Sequence, residues 1–199
     1  MIRSEVLLNE ALEIKRVLIQ FLRHPMSEIK NTPDWEWPRV FILMAAVTSI
    51  TGFLGGVIEQ RFLWAFFSGI FLSPLLATVM LGVSTLFFYY SFQIFAEKTV
   101  SIRQLFTLIL FANIPQFIFQ MISGIFPPVT LVGMALTALL LLVGFVETFQ
   151  MDRKLVIRLI GGLYALFFTL WLWDRISSTQ LEKKWGFERS QAPAVELGK

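Results

Sequence analysis

Between Arg103 and Glu147 the chain carries no charged side chain, and this limits the folds open to it more than any other feature. A helix needs about 20 apolar residues to cross a hydrocarbon layer roughly 30 Å thick. The stretch from Ser101 to Gln150 is long enough to cross twice, and Pro127-Pro128 supplies a turn between the passes. Lipid offers no hydrogen bonds, so each pass must satisfy its own backbone, which a helix does. The stretch predicts a transmembrane hairpin.

Composition agrees with a membrane solvent. Of 199 residues, 56% are hydrophobic and 16% charged, and the mean hydropathy is +0.68, which is far from ordinary soluble composition. The 21 Phe and 6 Trp suit lipid-facing surface and the membrane interface. The net charge of +3 fits basic residues flanking membrane spans, so nucleic-acid binding is not expected. With no Cys and one histidine, His24, no metal site, thiol nucleophile or cofactor is expected. Glu5, Glu10 and Glu13 interrupt the apolar core that a secretory signal requires, so the N-terminus is not expected to be one.

Residues 1–38 read as a cytoplasmic amphipathic helix and linker. Leu7, Ala11, Ile14, Leu18, Phe21 and Leu22 fall at the spacings of one helical face, opposite Asn9, Glu13, Arg16, Gln20 and Arg23. Acids and bases nearly balance along it, so apolar burial should hold the helix more than attraction to anionic lipid. Such a face suits docking on the chain's own bundle, the membrane interface or a partner. His24-Pro25 should end the helix, because the residue before proline is biased out of the helical region. Trp35 and Trp37 then stand as interface anchors ahead of the first span.

Residues 39–176 read as a five-span membrane domain, and residues 177–199 as a polar tail with a short helix near Leu181 to Phe187. The spans run from Arg39 to Ile58, Pro74 to Phe95, Gln104 to Phe126, Val129 to Thr148 and Leu155 to Trp173. Ser73-Pro74 divides a long apolar run and leaves Phe62 to Leu72 as an interfacial segment or part of a sixth span. Thr48, Gly52 and Gly56 in the first span, and Gly161, Ala165 and Thr169 in the fifth, repeat every four residues. That spacing lets two helix backbones close up, by internal packing or in a homo-oligomer. Thr78, Gly82, Thr85 and Tyr89 share a face of the second span that should turn toward other helices.

The expected fold is thus all-α: a polytopic membrane helix bundle of five transmembrane helices preceded by an N-terminal amphipathic helix. Orientation follows from the basic residues. Five spans with the N-terminus inside put most of the 17 lysines and arginines on the cytoplasmic side, including the short loops 96–103 and 150–158, while the Pro127-Pro128 turn has none. The N-terminus is therefore expected in the cytoplasm.

Catalytic templates are missing: there is no GxSxG, no Walker lysine, no HExxH and no paired carboxylates within a span, so no enzyme is expected. Glu147 is the intramembrane acid to weigh, since such a charge costs about 2.5 to 3.5 kcal/mol at a helix centre and usually has a partner. Arg158, at similar depth on the next span, is the expected ion-pair partner; the sharper reading makes Glu147 a proton or cation site. In the third span Asn113, Gln116, Gln120 and Ser123 line one face, which suits interhelical hydrogen bonding or a substrate path. Pro115 leaves the Phe111 carbonyl without its helical donor.

Several of these stretches together resemble the Yip (Ypt/Rab-interacting protein) domain family, especially its bacterial members. They are the RHP followed by a Trp-Pro entry into the first span, the run SIRQLFTLILFANIP, the apolar hairpin, and the short charged loop before a final GG-bearing span. The resemblance covers roughly Phe21 to Ile176. It implies five spans, a cytoplasmic N-terminus, a bacterial inner membrane as the location and a non-enzymatic role as a membrane adaptor. Eukaryotic relatives bind prenylated small GTPases, but here DWEWP replaces an Asp-Leu-Tyr-Gly-Pro type motif and Ala112-Asn113 stands where a Gly-Tyr pair is expected, so that binding is not carried over. The expectation is a scaffold or adaptor that meets membrane lipids and a membrane or cytoplasmic protein partner. The alternative is a small transporter or channel subunit using Glu147, Arg158 and the Asn113 face.

Overall fold

The apolar stretches do become helices. A computed structural model describes residues 2–58, 66–123, 125–169 and 172–173, with the backbone alone for residues 2–11 and Ser68. Among these residues every regular element is helical: α1 (Ile2–Arg23), α2 (Pro25–Glu28), α3 (Trp37–Ile58), α4 (Ser73–Ala96), α5 (Ile102–Gln120), α6 (Val129–Glu147) and α7 (residues 153–169). Among the described residues, four stretches are long and apolar enough to cross a membrane, namely Trp37–Ile58, Gly69–Ala96, Ile102–Gln120 and Val129–Glu147. The chain divides into two compact units, Met1–Ile160 and Gly161–Lys199. The expected tail helix near Leu181 lies outside the described residues.

Helix α5 forms the centre of the first unit. Every residue from Leu105 to Ala112 is buried, so its second and third turns are enclosed on all sides. The outer helices bury one stripe each: Val40, Leu43, Met44 and Val47 on α3, and Leu140, Leu141, Gly144 and Phe145 on α6. Their other faces carry exposed Leu, Ile, Val and Phe, which lipid accepts. Several threonines within the spans return their hydroxyls to the preceding turn, as Thr48 does to Met44 O at 2.7 Å and Thr85 to Leu81 O at 2.7 Å. These hydroxyls place no unsatisfied polar group in the apolar interior.

Three expectations need correction. Ser73-Pro74 does not divide the second span: the helical path continues from residue 66 through a π-helical turn, Ser68–Leu72, into α4. Proline cannot donate to the carbonyl four residues back and its ring crowds it; the wider turn just before Pro74 relieves that conflict. The same turn brings Gly69 against α3 so closely that an added Cβ would lie 2.6 Å from the Phe53 backbone nitrogen. On α4 the buried stripe is Ala77, Leu81, Thr85, Phe88, Ser91 and Phe92, so Thr85 faces other helices while Gly82 meets open space. Finally, α5 stops at Gln120 instead of Phe126, because the chain tightens there into turns whose hydrogen bonds mostly span three residues, such as Met121 N–H to Ile118 O at 3.2 Å.

Candidate functional site

The residues that tie the chain together by polar contacts gather at one end of the bundle, where α3 and α5 begin and α4 and α6 finish. Helix α4 is closed by Glu97 in the left-handed region (φ 51°), with its N–H on Phe92 O, and the turn after α6 by Gln150 (φ 49°). Lys98 Nζ donates to Gln150 O at 2.7 Å and locks these two turns to each other. Asp152 accepts from the Leu155 N–H at 3.1 Å and caps α7.

The segment between α1 and α3 is built into this end. His24 leaves the helical region (φ −137°), Pro25 starts α2, and a 3-10 turn (Ile29–Asn31) delivers Ile29 into the interior, where it is fully buried. Thr148 at the end of α6 donates to this turn, with Lys30 O at 3.2 Å and Ile29 O at 3.4 Å. Phe21 and Trp35 both pack on Phe111 of α5, with ring centroids 5.2 Å and 5.9 Å away. Trp35 is therefore a buried anchor and not an interface residue, whereas Trp37 keeps 38% of its surface exposed beside Phe41 and Phe106.

Ion pairs ring the aromatic cluster. Arg103 Nη2 donates to Asp34 Oδ1 at 2.8 Å, Arg39 lies 3.5 Å from Glu13, and Lys30 lies 3.7 Å from Glu147. Glu147 is the last residue of α6 and its side chain is half exposed. A carboxylate at a helix C-terminus opposes the helix dipole, and the Lys30 ammonium offsets that. Arg158 makes no ion pair among the described residues. An open depression of about 410 Å³ beside the segment is lined by Met26, Ser27, Lys30, Val143 and Glu147, and a second, of about 500 Å³, lies between residues 97–104 and Thr148-Phe149.

The polar face of α5 is split by its neighbours. Asn113 Nδ2 returns to Ile109 O at 2.8 Å, Ser123 Oγ to Gln120 O at 2.7 Å, and Gln120 is exposed. Gln116 alone points into the interface with α6, where its buried Oε1 has no hydrogen-bond partner and would sit 2.7 Å from a Cβ added at Gly133. Thr137, one turn along α6 and also buried, has an unpartnered hydroxyl. Of the small-residue stripes, Thr48 is buried on α3, Gly52 packs against Ser73 and Gly69, and Gly56 is half-buried. Gly161, Ala165 and Thr169 lie on α7 in the second unit, where Thr169 donates to Ala165 O at 2.8 Å.

Sequence reasoning missed Lys30, Asp34 and the inward turn of Trp35. The one available signal was the density of apolar residues, Ile29 and Trp35, inside a polar linker. No curated protein and no solved structure matches the chain. The Yip1 domain, by contrast, matches from residue 19 to residue 173, which includes the α1 anchor, the linker and every helix of the bundle. The chain belongs to the Yip1 domain family of membrane proteins.

Proposed function

We propose that the protein is a non-enzymatic membrane scaffold or adaptor with five spans, α7 supplying the fifth, and its N-terminus in the cytoplasm of a bacterial cell. Orientation is supported by the gathering of Lys30, Arg39, Lys98, Arg103, Arg153 and Lys154 around one end of the bundle, as cytoplasmic loops require. The observation that carries the functional reading is the linker itself. Phe21, Ile29 and Trp35 hold it across the bundle end, and its outer side presents charged residues and an open depression lined by Met26, Ser27 and Lys30, a surface suited to a macromolecule. Glu147 and Arg158 act on this reading as separate surface charges, and the Thr48-Gly52-Gly56 and Gly161-Ala165-Thr169 stripes as packing faces.

A photo-crosslinker placed at Glu36 or Ser27 in native membranes tests it. A discrete protein adduct that disappears when Trp35→Ala unseats the linker is expected. Uniform labelling of lipid alone, unchanged by Trp35→Ala, would sink the adaptor reading.

A second reading, a small transporter or channel subunit, draws on the unpartnered Gln116 and Thr137 between α5 and α6. Flux into proteoliposomes that is lost with Gln116→Leu or Glu147→Gln would favour it; the adaptor reading expects no flux.

A further inference from the structure

The charges of α1 nearly cancel along the sequence, but the fold sorts them. Phe21 turns inward onto Phe111, and Glu13 turns toward Arg39. The opposite arc of the helix then carries Leu12, Ile19 and Leu22, exposed by 51%, 41% and 48%, interleaved with exposed Lys15, Arg16 and Arg23. These six fall within about a third of the helix circumference at 3.6 residues per turn. From Leu12 to Arg23 that arc holds no acid.

The position of the arc selects its occupant. Phe21 of α1 and Trp35, just ahead of α3, pack on the same Phe111 ring, so α1 is anchored beside the end of the bundle at which α3 and α5 begin. Glu13, about 12 Å back along α1, reaches the first turn of α3 at Arg39. The helix is thus tied to two spans, α5 through Phe21 and α3 through Glu13, and its exposed Leu12, Ile19 and Leu22 stand at the depth where α3 begins and itself exposes Phe41 and Ile42. Leucines at that depth with cations able to extend toward headgroups match the interfacial region of a bilayer, where basic side chains snorkel and anionic lipid attracts them.

We propose that this outward face of α1 is a docking surface for the anionic lipid of the leaflet in which the bundle sits. The bilayer covers the apolar side chains and phosphate headgroups meet Lys15, Arg16 and Arg23. The inference requires only that the bundle is embedded in a membrane, and it holds whether or not the protein is an adaptor.

The chain has no cysteine, so the full-length protein can be labelled at Ile19→Cys with an environment-sensitive dye, and at Gln20→Cys as a flanking control. It is reconstituted in phosphatidylcholine bilayers, alone or with roughly a third phosphatidylglycerol as the anionic component. The expected result is a dye at position 19 shielded from aqueous iodide and quenched by a nitroxide attached high on the acyl chain, with several-fold stronger shielding when phosphatidylglycerol is present. Position 20 should remain accessible. The K15Q/R16Q/R23Q triple variant should lose the dependence on phosphatidylglycerol while its unfolding temperature is unchanged. Iodide access at position 19 in both bilayers would overturn the proposal. Shielding without nitroxide quenching, or shielding that persists in detergent and scales with protein concentration, would assign the face to a protein partner or a second copy and overturn it equally.

Discussion

Asp34 accepts a 2.8 Å hydrogen bond from the guanidinium of Arg103, joining the chain just ahead of α3 to the first turn of α5. Both side chains are partly exposed, so solvent screens the pair and its contribution should not exceed about 1 kcal/mol. Asp34→Asn should therefore leave the bundle folded while raising hydrogen exchange in residues 24–36 selectively. Arg103→Met should act more widely, because its guanidinium also fills a partly buried position.

The aromatic cluster is a different matter. Phe111 is 2% exposed and contacts both Phe21 and Trp35. Phe111→Ala removes a ring from a packed interior and should destabilise by about 3 to 5 kcal/mol. Thermal unfolding in detergent, followed by circular dichroism, should show a large fall in Tm, and hydrogen exchange in residues 24–36 should report release of the linker.

Three glycines separate close packing from open surface. A Cβ at Gly69 would meet the Phe53 backbone nitrogen at 2.6 Å and Cα at 2.8 Å, and neither atom can move aside easily. Gly69→Ala should cost about 1 to 3 kcal/mol. At Gly144 the obstacle is the flexible end of Leu108, so Gly144→Ala should cost less. Gly82 meets nothing within 4 Å, and Gly82→Ala should be neutral or stabilise by up to about 1 kcal/mol. Ranking the three unfolding temperatures checks the α3–α4 and α5–α6 contacts at once.

Glu147 offers a test by double-mutant cycle. Its contact with Lys30 at 3.7 Å is exposed on both sides, so the Lys30→Gln and Glu147→Gln changes should couple by about 0.2 to 1 kcal/mol. The corresponding cycle with Arg158→Gln should show no coupling. A large Glu147–Arg158 coupling would restore the hairpin ion pair that the spacing of the two residues suggests.

The general positions of four spans were legible because lipid imposes a length and an apolarity that a linear sequence displays. The start of α6 at Val129 and the stop of α1 before Pro25 follow from local proline chemistry. Which apolar residues face inward was not legible. In water an apolar side chain signals the core, whereas in a bilayer Phe88 in the interior and Phe95 on the surface are equally acceptable. Trp35 illustrates the consequence: its neighbour Trp37 is a plausible interface anchor, and only the turn through Ile29 and the pairing of Asp34 with Arg103 direct the first ring onto Phe111. The same blindness applied to charge on α1, where balance along the chain concealed segregation around the helix.

The enclosure of α5 bears on how the protein is made. It is the least apolar of the four candidate spans, and half of that stretch is covered by protein, the largest share of any of them. A helix carrying Asn113, Gln116 and Gln120 gains little from lipid alone. Its residence in the membrane should draw on α3 and α4, synthesised before it, and on α6, synthesised after it, all of which pack against it. Insertion of α5 is then expected to be a cooperative step, completed as the sheath around it closes.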